Sequence, residues 1–214
     1  MALATRLRSA SHWSDPRVKP PYGAVEVDWG HPLSRGLLSQ YVLNEQAGSP
    51  VDLALPIRTG TLFGGPTWVS SARGVAMNFV RASAQYVQTP IINLNAGNDI
   101  TVSCWIKPAS FANYDQPISR WNETDNQRVW TIAIFGDSVV YFYTSADGGT
   151  ASLINTPTGI SAYVWTRITC VNDSGNGSTG KRIYVNAALS VSGAGVTIFA
   201  GTTGLYLGHS PVFA

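Results

Sequence analysis

The sequence predicts an all-β fold of the sandwich or barrel type, and three observations support this prediction. Apolar residues recur at every second position in many short segments, which is the period of a β-strand. Glycine-, asparagine- and proline-rich turns separate these segments at regular spacing. Charged residues make up only 12% of the 214 residues, against 44% hydrophobic residues, 7 Trp and 9 Tyr. Aromatic residues and turn-forming glycines are typical of β-rich proteins.

The first 24 residues are expected to form an extended arm, because Pro16, Pro20 and Pro21 oppose a helix or a central strand. The arm holds all of the chain's basic excess. Its four cations and Asp15 give a charge of +3, whereas the rest of the chain carries ten cations and eleven carboxylates, a charge of −1. We expect the cations to contact a partner, with a solvated tail as the alternative. They are Arg6, Arg8, Arg17 and Lys19.

From about Ser39 onward the β pattern dominates. The predicted strands are SQYVL, VAMNF, QYVQT, ITVSCWIK, PISRW, VWTIAIF, SVVYFYTS, ASLIN, YVWTRITCV, KRIYVN and GLYLG. Hairpin turns are expected at FGDSV and YTSADGG. In ITVSCWIK, Cys104 lies on the apolar face and Trp105 on the mixed face.

No catalytic or metal-binding constellation emerges, and no cofactor is expected. Gly175–Gly180 matches G-x-G-x-x-G, but the strand-like KRIYVN follows it, whereas a dinucleotide site requires a helix there. We therefore expect a hairpin loop. Glu26 and Asp28 start like a glucanase signature, but the next positions hold Gly30 and His31, so the second catalytic carboxylate is missing. The chain is not expected to be an enzyme.

Over residues 60–208, the order of the predicted strands and their sequence motifs resemble the concanavalin A-like laminin G/pentraxin superfamily. The matching positions are Gly74, Phe79, Tyr86, Val87, Thr101–Pro108, Trp165, Asp173 and Tyr184–Asn186, with a departure at Ala187, where the family usually has Gly. The resemblance implies a two-sheet antiparallel jelly-roll sandwich. It also implies that Trp105 packs against a neighbouring strand or loop and is not offered to a sugar.

The cysteines are expected to be free thiols. The resemblance aligns the disulfide positions of pentraxins with Ser103 and Thr169, and Cys104 and Cys170 each lie one residue later. Advancing both members of a direct antiparallel pair by one residue gives a diagonal pair, about 7–8 Å apart. A relaxed disulfide seldom spans that distance.

The segment before the sandwich resembles the lead-in of laminin G-like proteins of tailed phages. The residues that carry this likeness are His31, Pro32, Leu33, Gly36, Leu37, Asn44, Glu45 and Gly48. It implies a structural protein of a phage-like virion, either a capsid decoration or a tail or fibre component, with other virion subunits as partners. No secretory signal or membrane span is visible, so folding in the host cytoplasm followed by incorporation into the virion is expected. Binding to a membrane is not expected, and binding to nucleic acid is disfavoured because four scattered cations are too few.

The alternative hypothesis is that the chain is a carbohydrate-binding module that attaches to a host or surface glycan. A glycan-active enzyme is the third hypothesis. Aromatic and planar polar side chains cluster around the loop NETDNQR, where ligands of a sandwich commonly bind. The candidate residues are Arg120, Trp121, Asp125, Arg128 and Trp130. Cross-strand packing and a surface ion pair are the structural alternative.

Two regions are expected: an arm and lead-in over residues 1–38, and a laminin G-like jelly roll over residues 39–214. Members of the resembled family generally have a further strand after the one equivalent to GLYLG. The sequence ends at Ala214 without it. We therefore expect another segment or a neighbouring subunit to cover the open sheet edge.

Overall fold

The computed structural model describes residues 5–7, 19, 23, 25–54, 56–92, 99–112 and 114–208. Side chains of residues 5–7 and 25 lie outside this description. Contacts divide the chain into two compact units, residues 1–92 and 93–214. None of the helices in the described part is long and apolar enough to span a membrane.

Almost all regular structure is β, as predicted, with antiparallel pairing throughout the named strands. The strands are β1 (Thr5–Leu7), β2 (Val25–Val27), β3 (Val51–Asp52), β4 (Arg58–Thr59), β5 (Thr61–Phe63), β6 (Thr67–Ser71), β7 (Gly74–Asn78), β8 (Tyr86–Gln88), β9 (Ile100–Ile106), β10 (Asp115–Arg120), β11 (Trp130–Ile134), β12 (Val140–Ser145), β13 (Ala151–Asn155), β14 (Thr166–Asn172), β15 (Lys181–Val185), β16 (Ala188–Gly193) and β17 (Tyr206–Leu207). Within the described residues, three 3-10 segments accompany them: Pro32–Ser34, Arg81–Ser83 and Ser174–Thr179.

The first unit consists of two-stranded pairings, β1 with β2, β3 with β4, β5 with β8 and β6 with β7. The predicted strand SQYVL is wrong, because only an isolated bridge from Tyr41 to Asp52 forms there and Leu43 has a φ of 56°. A positive φ at a bulky residue interrupts extended backbone. Asp52 is buried and organises this unit. Its carboxylate accepts from Ser39 Oγ at 2.9 Å and from the Gln40 amide at 2.7 Å, and it pairs with Arg58 at 3.1 Å.

The arm is described only at β1 and Lys19. β1 places Arg6 opposite Glu26, while Arg8 and Arg17 lie outside the described residues. Lys19 is used inside the unit: its Nζ donates to the carbonyl groups of Leu43 at 3.0 Å and Val75 at 2.9 Å. Burial lowers the pKa of Lys19 to about 8. Lys19 therefore fastens the chain to its own unit, which differs from the expected contact with a partner.

The second unit contains two antiparallel sheets. One has the order β13-β12-β11-β10-β17 and the other the order β16-β15-β14-β9. Lys181 of β15 donates to Ser152 of β13, and the position of Gly193 in β16 is in contact with Ile154 of β13. The two sheets therefore face one another through the even-numbered side chains of β13 and the residues that share their face. The core residues include Ile132, Ile134, Val140, Phe142, Ile168, Cys170 and Ile183, all at most 2% exposed.

The register of β9 and β14 confirms the predicted diagonal relation of the cysteines. Ser103 lies directly opposite Thr169, and their hydroxyl oxygens are 2.8 Å apart. Cys104 is paired with Ile168, and Cys170 with Val102. Both cysteines are free in the structure.

Candidate functional site

The outward face of the first sheet carries a cluster of aromatic side chains. In β11 and β12 alternate residues face the partner sheet, so the intervening residues Ala133, Tyr141 and Tyr143 face away from it. Leu153, opposite Tyr143 on β13, is 45% exposed, which shows that this face is accessible at the β13 edge. We call Tyr114, Phe135, Tyr141 and Tyr143 the aromatic face.

The rings of the aromatic face contact one another in a fixed arrangement. Tyr141 and Tyr143 have centroids 6.0 Å apart and planes inclined by 21°. Phe135 packs its edge against Tyr141 at 4.7 Å, and Tyr114 meets Phe135 at 4.6 Å and 88°. All four rings are partly exposed. Edge-to-face packing of this kind holds rings rigidly while leaving part of each accessible.

Small side chains make room for this cluster. Ser119 and Thr131 are directly opposite one another on β10 and β11 and are fully buried. Thr131 in turn pairs with Tyr143. Trp121, just beyond β10, reaches to within 6.0 Å of the Tyr143 ring. The aromatic rings therefore occupy the space above the short side chains of the two central strands.

A pair of opposite charges borders the aromatic face. Glu123 Oε1 accepts from Trp121 Nε1 at 3.1 Å and lies 3.6 Å from Arg128 Nε. Arg128 also donates to the Gly149 carbonyl at 2.6 Å, which joins the loop after Trp121 to the β12–β13 turn. Both charged side chains are partly exposed, so their remaining hydrogen-bonding capacity faces solvent beside the rings.

The tyrosine hydroxyl groups stay protonated at ordinary pH. Burial raises the pKa of Tyr114 and of Tyr143, and the proximity of other acidic groups raises both further. The two hydroxyl groups are hydrogen-bonded to one another. The aromatic face thus combines apolar rings with neutral groups that both donate and accept hydrogen bonds.

Three of the five predicted carbohydrate-binding residues are buried. Arg120 and Trp121 are 1% exposed and Trp130 is 5% exposed. Arg120 and Trp130 are directly opposite one another on β10 and β11, on the face that the other sheet covers. Trp121 is buried on the other face, beside the Tyr143 ring. Asp125 is exposed and closes the turn by accepting from Asn122 Nδ2 at 2.9 Å. Of the five, Arg128 remains at the border of the aromatic face.

Sequence reasoning missed the aromatic face itself. The signal that could have found it is the alternation Tyr141, Phe142, Tyr143, which puts both tyrosines on one side of a strand. Trp105 lies on the outward face of the other sheet and is 41% exposed, with the Arg167 guanidinium 5.9 Å from its ring centroid. This contact with the neighbouring strand agrees with the structural role expected for Trp105.

The motifs set aside as catalytic have structural roles. Asp28 Oδ1 accepts from the Gly30 amide at 3.0 Å and so stabilises a turn. His31 Nδ1 accepts from the Leu33 amide at 3.1 Å and caps the following 3-10 segment. Residues 174–179 connect the antiparallel strands β14 and β15, which confirms the hairpin reading of G-x-G-x-x-G. The described residues contain no group of three or more His, Cys, Asp or Glu that could hold a metal ion.

Comparison with sequence families decides the family. Residues 81–213 match a laminin G-type family described as the concanavalin A-like lectin/glucanases superfamily. The chain belongs to this concanavalin A-like superfamily. Its nearly all-β, two-sheet antiparallel sandwich is the jelly roll of that superfamily. A comparison with curated protein sequences finds no match.

Two solved structures have a similar fold at low sequence identity, and a third is a weaker match. Domain 4 of AbnA, an extracellular arabinanase from Geobacillus stearothermophilus solved with arabinotriose, is 14% identical over 73% of this chain and 75% of that domain, with a TM-score of 0.54. Botulinum neurotoxin type C, whose cell entry is described as dependent upon interaction with two ganglioside molecules, is 15% identical over 83% of this chain and 44% of the toxin chain, with a TM-score of 0.53. The carbohydrate-binding module CBM66 from Bacillus subtilis is 14% identical over 70% of this chain and 87% of the module, with a TM-score of 0.42.

Proposed function

We propose that this domain binds carbohydrate on the aromatic face and carries out no reaction on it. The observation that carries the proposal is the pair Tyr141 and Tyr143, whose partly exposed rings lie within 21° of parallel on the outward face of β12. The apolar faces of sugar rings pack on such platforms, while nearby polar groups fix orientation. Glu123 and Arg128 provide planar polar groups at the border of the rings.

The superfamily description names both lectins and glucanases, so the choice between binding and catalysis depends on the carboxyl groups near the aromatic face. Glycoside hydrolysis needs two carboxyl groups placed on either side of the scissile bond. At the border of the aromatic face, Glu123 is engaged by Trp121 and Arg128. This arrangement suits a fixed acceptor of hydrogen bonds better than a proton donor.

The proposal is tested by titrating the purified chain with glycans and measuring heat or fluorescence. Arabinotriose is the first probe, because a domain of the same fold was solved with it, and a glycan array widens the search. Tyr143→Ala removes half of the platform and is expected to weaken binding by about tenfold or more, which corresponds to about 1.4 kcal/mol. Its melting temperature should show that the fold is kept, since Tyr143 lies on the outward face.

Trp105→Ala is the matched control, since it removes an accessible aromatic side chain from the outward face of the other sheet. Binding should be unchanged in this variant. Loss of binding in Trp105→Ala with retention in Tyr143→Ala would place the site elsewhere, and absence of binding across the array would refute the carbohydrate proposal itself.

The second candidate function that we propose is a structural role in a phage-like virion, in contact with other virion subunits. The lead-in exposes large apolar side chains in a short stretch: Trp29 is 45%, Leu33 46% and Leu38 42% exposed. Exposed large apolar side chains are frequent at contact surfaces. The two candidates are compatible, because the lead-in belongs to the first unit and the aromatic face to the second.

Replacing Trp29 and Leu33 together by serine should reduce incorporation into particles without changing glycan binding. Co-sedimentation with particles measures this, and Leu189→Ser, which alters an apolar side chain that is 56% exposed in the second unit, is the control. Equal incorporation of both variants would argue against a contact through the lead-in.

A further inference from the structure

Arg120 is a buried cation at the end of β10. Its side chain is 1% exposed, its Nε donates to the Thr203 carbonyl at 3.0 Å, and its Nη2 donates to the Gly201 carbonyl. Nη1 is buried and has no hydrogen-bond partner. One end of the guanidinium thus holds the segment before β17, and the other end has two donor hydrogens without an acceptor.

No negative charge compensates Arg120 within the described part of the chain. The ion pairs there involve Arg58, Arg128 and Arg182. Burial alone lowers the pKa of Arg120, and no charged group offsets it. A buried charge that is neither paired nor fully hydrogen-bonded is strongly unfavourable, so the fold as described lacks an acceptor at Nη1.

A second buried hydrogen-bond donor without a partner lies on the neighbouring strand β11, opposite Arg120. Trp130 is directly opposite Arg120 in the pairing of β11 with β10, so both side chains occupy the same face. Trp130 is 5% exposed, and its indole Nε1 is buried without a partner. Gln116, four residues before Arg120, is also buried, with its amide nitrogen and oxygen both lacking a partner.

The chemistry of Arg120 and Trp130 selects an anion. Both side chains can only donate hydrogen bonds. A group that accepts from both and also carries a negative charge satisfies the donors and neutralises the guanidinium, whereas a water molecule does only the former. We propose that a small monovalent anion of the size of chloride binds between Arg120 Nη1 and Trp130 Nε1 in the second unit.

The bound anion stabilises the segment that closes this end of the sandwich. This segment contains residues 196–205. At its start, Asn172 Nδ2 at the end of β14 donates to the Val196 carbonyl at 2.7 Å. The Phe199 amide then donates to the Ser145 carbonyl of the other sheet at 2.9 Å. Arg120 then holds the carbonyl groups of Gly201 and Thr203. Neutralising Arg120 therefore stabilises the approach to β17, and chloride should favour the folded state by mass action.

The test measures the melting temperature of the full chain while chloride is titrated at constant ionic strength, with sodium methanesulfonate as the replacement salt. The wild-type melting temperature should rise and saturate. Trp130→Phe keeps an aromatic ring and removes one donor, so the chloride concentration at half-saturation should increase by about tenfold. Trp165→Phe is the matched control, because it removes another buried indole N–H without a partner and should respond like the wild type.

Crystals grown in bromide provide a second measurement that does not depend on stability. An anomalous peak within hydrogen-bond distance of Arg120 Nη1 is the expected result. A melting temperature that is independent of chloride, an identical response of wild type and Trp130→Phe, or a water molecule at Nη1 without anomalous signal would each overturn the proposal.

Discussion

Gly180 is expected to be one of the least replaceable residues of the loop between β14 and β15. Its φ of −68° and ψ of −37° are accessible to alanine, so the backbone itself tolerates the change. The added Cβ, however, would lie 2.1 Å from the Asp173 carbonyl oxygen and 2.8 Å from Gly195 Cα. Both are backbone atoms, and neither can move away by rotating a side chain.

The cost follows from the displacement required. Ordinary contact begins near 3.4 Å, so the oxygen at 2.1 Å and the new methyl group must separate by roughly 1.3 Å, the difference between these two distances. Overpacking of this kind costs about 1–3 kcal/mol. Such a shift would also stretch the 3.1 Å bond from the Asp173 amide to the Gly180 carbonyl, at about 1 kcal/mol. Alanine recovers about 0.5 kcal/mol by restricting the unfolded chain.

Gly180→Ala should therefore lower the free energy of unfolding by about 1.5–3.5 kcal/mol, the net of these terms. Urea denaturation followed by tryptophan fluorescence measures the change. Gly175→Ala is the control in the same loop, since its Cβ meets only Asp173 Oδ1 at 3.6 Å, and it should stay within about 0.5 kcal/mol of the wild type. If the two variants were equally stable, the close approach of Gly180 to Asp173 and Gly195 would be refuted.

Two further predictions concern buried titratable groups. Burial lowers the pKa of Lys181 from 10.5 to about 8, so the unfolded chain binds more protons between these values and stability should rise with pH from about 8 to 10.5. Lys181→Met should lack this part of the rise in stability, which amounts to up to about 2 kcal/mol once partial solvent access is allowed for. Urea denaturation of both proteins at pH 7.5 and 9.5 measures the difference, and an equal change in the free energy of unfolding of the two proteins would contradict the prediction. Burial also raises the pKa of Cys104 to about 12 and that of Cys170 well above its ordinary value. Both thiols should therefore resist alkylation at pH 8 in the native protein and react fully after denaturation without reductant; a deficit of two thiols by intact mass would show a disulfide.

In the second unit, the positions of several strands and the register of one strand pair could be predicted from the sequence. ASLIN is β13 from end to end, and KRIYVN and ITVSCWIK contain β15 and β9. The Ser103–Thr169 pair follows from the family alignment and is found in the register. These predictions succeed because a two-residue period and a short turn constrain the backbone locally. The segment YVWTRITCV starts as a strand only at Thr166, since Tyr163 adopts a φ of 59°.

The family and the all-β class were determined by the sequence alone, because they depend on patterns that persist along the chain. Which face of each strand becomes the core was decided by tertiary packing. Every residue of β11 is buried, so the alternation of residue types along β11 does not show which of its faces points away from the partner sheet. Trp130 became an interior residue, while Tyr141 and Tyr143 stayed accessible, because the partner sheet covers only the face of β12 that carries Phe142. Trp121 is buried on the other side of the sheet, against the Tyr143 ring. A single strand specifies two faces, but only the other sheet determines which one water reaches.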